Sequence, residues 1–290
     1  MSGQTTPRTD GWTPSERELQ RRDVRRRQRT RRILLASGLT ALVFVVLVVG
    51  IRSTPGWPRV RETFFDSFHA RESFDAILHG FWINVKLFLI CQPLILVAGL
   101  AIALARKARS PWLVPVRALA VLYTDVVRGV PTILLIVLFA FGMPALDLQG
   151  LPIDPLFWCG VALVVSYSAY VAEVFRAGID SIHPSQVQSA AALGLSRGQA
   201  MRFVVVPQAV RRVVPPLLND FVSLQKDTAL VSAAGALDAL FAARNYANFN
   251  FNYTPIVVVA AFFVVITIPL ARWCDWLQRR WMERERAGAL

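Results

Sequence analysis

The sequence predicts an all-α integral membrane protein with about six transmembrane helices. Three observations predict it. Of 290 residues, 54% are hydrophobic and only 18% are charged, with mean hydropathy +0.45; a soluble domain of this length would carry more charge and fewer apolar runs. Several runs approach the ~20 apolar residues that cross a bilayer. The formal net charge is +13, and its arginines stand at the ends of the apolar runs. That placement is the membrane-topology pattern and not a nucleic-acid footprint. Cys91, Cys159 and Cys274 all fall in apolar segments without metal-ligand spacing and are expected to be small buried hydrophobes.

Taken in order, residues 1–32 form a basic cytoplasmic tail ending in RRDVRRRQRTRR, expected to be solvated and disordered. Residues 33–51 are the first apolar run, an extra N-terminal transmembrane helix. It is long for a signal peptide, and no small-x-small cleavage site follows. Residues 52–79 balance arginines against acids, which suits an extracytoplasmic segment. Asn84–Ala105 is the second run, closed by Arg106, Lys107 and Arg109. Residues 112–144 are apolar but carry Asp125, Arg128 and Pro131, so a helix that breaks or bends near RGVP is expected. Loop 144–154 has acids and no base, fitting the outside. Pro155–Phe175 returns inward to Arg176. A polar loop follows, then a span over 213–234 and an outer or re-entrant piece over 235–253 rich in aromatics and asparagines. Thr254–Ala271 is the last span, before the cytoplasmic tail at 276–290 with its arginines. The arginine bias places both termini in the cytoplasm.

The polar loop, His183–Ala209, is the most informative stretch. Pro184 suits a first helical turn. Gln186–Ala192 is short and rich in small side chains, and Gly194 stands where a left-handed C-terminal cap belongs. Ser196 and Gln199 make a capping-box pair that opens a second helix, and Pro207 is expected to kink or end the helix there. Local rules therefore give helix, glycine turn, capped helix. They leave open whether it docks a partner or lies solvated on the membrane surface.

The segments SQVQSAAALG (Ser185–Gly194), VPQA (Val206–Ala209), YVAEVFRAGI (Tyr170–Ile179), VVRGVPTILLIVLFAFGMP (Val126–Pro144) and NDFVSLQKDTALVS (Asn219–Ser232) stand in one order over residues 80–285. Together they resemble the permease subunits of bacterial ATP-binding-cassette (ABC) importers, the polar amino-acid uptake permeases above all. The resemblance implies a five-helix type I importer core at 80–275 behind the extra helix, in the bacterial cytoplasmic membrane. It makes the polar loop an ATPase-coupling loop carried by Gln186, Gln188, Ala190, Ala192, Leu193 and Gly194. The family's glutamate falls on Gln188, its first alanine on Ser189 and its first glycine on Ser185. A neutral hydrogen bond would thus replace an ion pair there. The implied partners are ABC ATPase subunits, a second permease copy or paralogue, an extracytoplasmic solute-binding protein, a polar amino-acid substrate and membrane lipid.

The chain carries no G-x-x-x-x-G-K-[ST] phosphate loop. No catalytic residue, metal or cofactor is expected in it, and ATP belongs to the partner ATPase. Charges inside apolar segments are costly unless paired or wet. Asp125–Arg128 and Glu173–Arg176, three residues apart, are expected to pair within their helices. Arg128, Asn219, Lys226 and Thr228 are candidates to line or gate a pathway. His69, His79 and His183 lack ligand spacing and are expected at the surface. An ion-coupled secondary transporter would give the long loop no role, and its inverted repeat is not seen. A non-transporting scaffold would leave Lys226 and Asp227 without purpose.

Overall fold

The computed structural model describes residues 15–108, 110–147 and 149–288. Residues 1–14 of the basic tail, Arg109, and the side chains of Arg197, Arg284 and Arg286 lie outside the described residues. All regular structure among the described residues is helical. The chain divides into residues 1–61 and 62–290.

The first unit is dominated by α1 (Glu16–Arg52). The basic run is helical from Glu16 onward, not a disordered tail that ends where a helix starts. No proline interrupts these residues, and Arg, Gln, Glu and Leu are good helix formers. From Ile33 the helix is apolar on all sides, the mark of a membrane span in a helix of this length. α2 (Trp57–Phe64) then leads to α3 (Ser67–Arg106), which is helical well before the expected start at Asn84.

In the second unit α3 and α6 (Pro155–Asp180) form the centre. α4 (Val114–Gly129), α5 (Thr132–Ala145), α9 (Val206–Asp227), α10 (Ala239–Asn250) and α11 (Thr254–Gly288) surround them. α4 and α5 meet at 104°, at the break expected near RGVP. Among the described residues four stretches are long and apolar enough to cross a membrane: Gln28–Arg52, Trp57–Arg106, Pro155–Asp180 and Thr254–Trp281; the bent α4–α5 pair has the length and composition of a broken span or a re-entrant loop. The remaining expected span is α9 followed by a 3-10 turn, Thr228–Ala234. It starts at Val206 instead of Val213, and Arg211, Arg212, Asn219, Asp220, Gln225, Lys226 and Asp227 make it too polar to qualify by composition.

The main core joins Phe88, Cys91 and Ile95 of α3, Ile136 of α5, Leu163 and Val171 of α6, and Leu224 of α9. A second cluster packs Ile77 and Phe81 against Ala239, Ala243 and Val259. All three cysteines are buried and free, as expected. Lipid offers no hydrophobic drive between helices, so close backbone approach and polar bonds must fasten them. A Cβ on Gly80 would come within 2.6 Å of the backbone at Asp238 and Ala239. Beside it, Asn84 Nδ2 donates to the Thr228 carbonyl and to Asp238 Oδ2, both at 3.0 Å, and its Oδ1 accepts from Ala239 N. Asp238 in turn caps α10 through Phe241 N.

Two segments expected on one side of the membrane meet at one end of this unit. Tyr253 N donates to the Thr63 carbonyl at 2.8 Å, Asn252 Nδ2 donates to the Glu62 carbonyl, and Asp66 N donates to Thr254 Oγ1. His69 is half-buried there, its Nδ1 2.9 Å from Tyr246 Oη, and so is not the surface histidine expected.

Candidate functional site

The polar loop begins where α6 ends. His183 caps α7 (Pro184–Ala192), its Nδ1 accepting from Ser185 N, and Pro184 occupies the first turn. The helix stops in a Schellman motif: Leu195 N donates to the Ala190 carbonyl and Gly194 N to the Ala191 carbonyl. That motif needs a left-handed residue, and Gly194 has φ +79°. Ser196 and Gln199 then form the expected reciprocal box, Ser196 N to Gln199 Oε1 at 2.8 Å and Gln199 N to Ser196 Oγ at 3.3 Å. The short helix α8 (Arg197–Ala200) runs into a π-helical turn, Met201–Val205. Pro207 does not end the helix; it follows the π turn directly and sits in the first turn of α9, a position that tolerates its missing N–H.

The loop folds back on itself, α7 packing against α8 and the π turn. Ile182, Val205 and Ala209 bury together at its base, and Arg212 Nη1 donates to the Ser181 carbonyl. Of the six residues expected to form a coupling surface, Ala190 is 3% exposed and turned inward, so it supports the loop and offers no surface. Gln186 accepts from Gln208 Nε2 at 3.4 Å. Gln188, Ala192 and Gly194 face outward. Leu193 is 82% exposed, at the tip between helix and glycine turn. A lone exposed leucine is ordinary on a protein surface; Leu193 is distinguished by its place at the tip of a polar, tightly capped element.

An ion-pair cluster stands directly behind the loop. Glu173 takes Arg106 at 2.9 Å, Arg128 at 3.8 Å, and Arg176 of its own helix. Asp180 takes Arg176 at 2.9 Å and also Lys107. The expected Glu173–Arg176 pair is present. The expected Asp125–Arg128 pair is not: Asp125 is exposed, and Arg128 reaches across to Glu173 and over the Tyr170 ring, 5.8 Å from its centroid. Arg128 stands two residues before the α4–α5 break, where its side chain reaches Glu173 of α6.

The four pathway candidates do not come together as one lining. Arg128 joins the cluster. Asn219 and Lys226 are exposed. Thr228 is fully buried, its hydroxyl donating to the Gln225 carbonyl and its carbonyl held by Asn84, and so lines no pathway in this structure. Asp227, adjacent to Lys226, accepts from Tyr167 Oη at 2.6 Å. Sequence reasoning missed Asn84, Asp238, and Gln225, whose Oε1 accepts from Thr267 Oγ1. The signal for Asn84 was an amide inside a membrane-length apolar run, which persists only when bonded. Arg106 and Lys107, expected only as end charges, are also cluster members.

Residues 95–283 match a family model described as binding-protein-dependent transport system inner membrane component. The probable glutamine ABC transporter permease protein GlnM of Bacillus subtilis is 30% identical over 210 residues, covering 72% of this chain and 94% of that protein. The arginine transport system permease protein ArtQ of Bacillus subtilis is 31% identical, covering 67% and 87%. The glutamine transport system permease protein GlnP of Escherichia coli K12 is 32% identical, covering 64% and 83%. A solved structure of an amino acid ABC transporter with histidines superposes with TM-score 0.67 at 29% identity, covering 74% of this chain and 98% of that one.

Proposed function

The chain belongs to the family of binding-protein-dependent transport system inner membrane components, and from that premise we propose that it is the permease subunit of an ABC importer for a polar amino acid. It lies in the bacterial cytoplasmic membrane with both termini inside, and a separate ATPase docks on the loop at 183–209. That ATPase hydrolyses ATP and swings the permease between inward- and outward-facing states. An extracytoplasmic binding protein delivers the solute, and a second permease copy or paralogue completes the pathway. The observation that carries this reading is Leu193, 82% exposed on a helix capped at both ends. Gln188 beside it is neutral, so docking rests on shape and apolar contact more than on charge. Asn219 and Lys226 face the solute path. Arg128, held by Glu173, marks its edge at the α4–α5 elbow.

The test is uptake of labelled polar amino acids by vesicles holding this chain with its ATPase and binding protein. Uptake is expected to need ATP and to vanish when residues 183–209 are deleted. Uptake of the same solutes by the chain alone, driven by an ion gradient, would overturn the reading in favour of secondary transport.

A further inference from the structure

The basic arm of α1 carries chemistry that the transport reading does not use. Between Glu16 and Arg32 stand nine arginines and three acids. The structure makes this run part of the same helix as the apolar stretch after it. Residues three and four apart share a helix face, so Arg17, Arg21, Arg25, Arg29 and Arg32 fall on one stripe, and all five are exposed. Among the described residues none of the five has a side-chain hydrogen bond or ion pair.

Distance decides which of them matter. At about 1.5 Å rise per residue, Arg32, Arg29 and Arg25 lie roughly 1.5, 6 and 12 Å beyond Ile33, while Arg17 lies about 24 Å away. Screening at physiological salt has a length of about 8 Å, so Arg32 and Arg29 feel charge at the bilayer surface strongly, Arg25 more weakly, and Arg21 and Arg17 hardly at all. Arg25, Arg29 and Arg32, with Gln28, Ile33 and Ala36, line one groove along the helix. That groove passes from three guanidinia and an amide to alkyl side chains within a few turns. A phosphate seated on an acyl chain has this sequence of chemistry, and guanidinium is the side chain that holds phosphate bidentately.

We propose that the groove of Arg25, Gln28, Arg29, Arg32, Ile33 and Ala36 binds an anionic phospholipid, its phosphate on the guanidinia and the start of its acyl chain on Ile33 and Ala36. The positive-inside rule does not account for the arrangement, because it counts arginines near a span whatever their face. A lipid site depends on the face.

The probe is a photoactivatable phosphatidylglycerol, compared with its phosphatidylcholine analogue, in nanodiscs holding the full chain. Cross-links are mapped by mass. Each arginine within reach of the surface is worth roughly fivefold in preference for an anionic lipid, so Arg29 and Arg32 give about 25-fold and Arg25 adds a smaller factor. Labelling of residues 25–36 by phosphatidylglycerol is expected to exceed that by phosphatidylcholine strongly, and to collapse in R25Q/R29Q/R32Q. A charge-conserving variant, R25Q/R29Q with V24R and T30R added, keeps two charges at nearly the same depth but moves them off the stripe, and is expected to label well below wild type. Equal labelling by both lipids would overturn the proposal. So would wild-type labelling of the charge-conserving variant, which would reduce the effect to bulk charge. Displacement of the lipid by inorganic phosphate at low concentration would show a site for free anions instead.

Discussion

Leu193→Ala separates a folding role from a docking role at the loop tip. In the folded chain Leu193 keeps 82% of its surface in contact with solvent. Its truncation therefore removes almost no buried area, and stability is expected to stay within about 0.5 kcal/mol of wild type. On a docked loop the same side chain loses its water. Full burial of a leucine is worth about 1.5–3 kcal/mol, of which alanine keeps a minor part. The loss is then about 2 kcal/mol, or roughly 30-fold in affinity at ~1.4 kcal/mol per factor of ten. The assay is binding of the purified ATPase to nanodiscs that hold the full chain, run beside thermal unfolding of both chains. Gly194→Val is the companion. It forces a β-branched residue to φ +79° at a cost of roughly 1–2 kcal/mol, and its effect on docking comes with partial loss of the Schellman cap. A Leu193→Ala chain that binds the ATPase within twofold of wild type, at an unchanged melting temperature, would refute the reasoning.

Two further outcomes concern the buried polar groups. Glu173→Gln leaves Arg106, Arg128 and Arg176 without their shared carboxylate. Losing one partner of a fully buried pair costs about 3–5 kcal/mol, and with the Glu173 side chain 21% exposed the expected loss is smaller, about 2 kcal/mol, read as a lowered melting temperature in detergent. An unchanged melting temperature would show that the cluster holds nothing together. Asn84→Ala removes both donors and the acceptor that join α3 to Thr228, Asp238 and Ala239. Stranding these buried groups costs about 1–3 kcal/mol each where no water replaces the amide. Unfolding should thus shift further than for Glu173→Gln, and a smaller shift would contradict that order.

Much of this architecture was legible because membrane proteins write it in composition. Apolar length gave the spans, Pro131 gave the elbow, and Pro184, Gly194, Ser196 and Gln199 gave the folded loop residue by residue. These are local rules, and local rules survive without tertiary context. What stayed hidden depends on which helices touch. Arg128 has Asp125 one turn away in sequence, yet pairs with Glu173, because α6 packs against α4 and brings that carboxylate within reach. Thr228 looks like a pathway hydroxyl in the sequence, but Asn84, 144 residues earlier, holds its carbonyl in the core. Ala190 reads in the sequence as part of a coupling surface, but the loop folds its second half over that side chain. The start of α1 was missed for another reason: a dense arginine run reads as solvated charge, while arginine is also a good helix former.

The loop and the ion-pair cluster are best understood as one mechanical unit. Asp180, the last residue of α6, lies three residues before His183, the cap of α7. Asp180 is bound to Lys107 and Arg176, and one turn back Arg176 also holds Glu173. Glu173 reaches Arg106 at the end of α3 and Arg128 at the elbow. A force on α7 therefore cannot be absorbed by a slack connection: Ile182, Val205 and Ala209 close the base of the loop, and the carboxylates stiffen the helix ends behind it. Displacement of the loop must either carry α6, α3 and the elbow together or separate guanidinium from carboxylate at Glu173. Both cost far more than bending a solvated loop would. The stiffness comes from two acids and four basic side chains placed between α7 and the bend, and it would serve the docking role proposed for that loop.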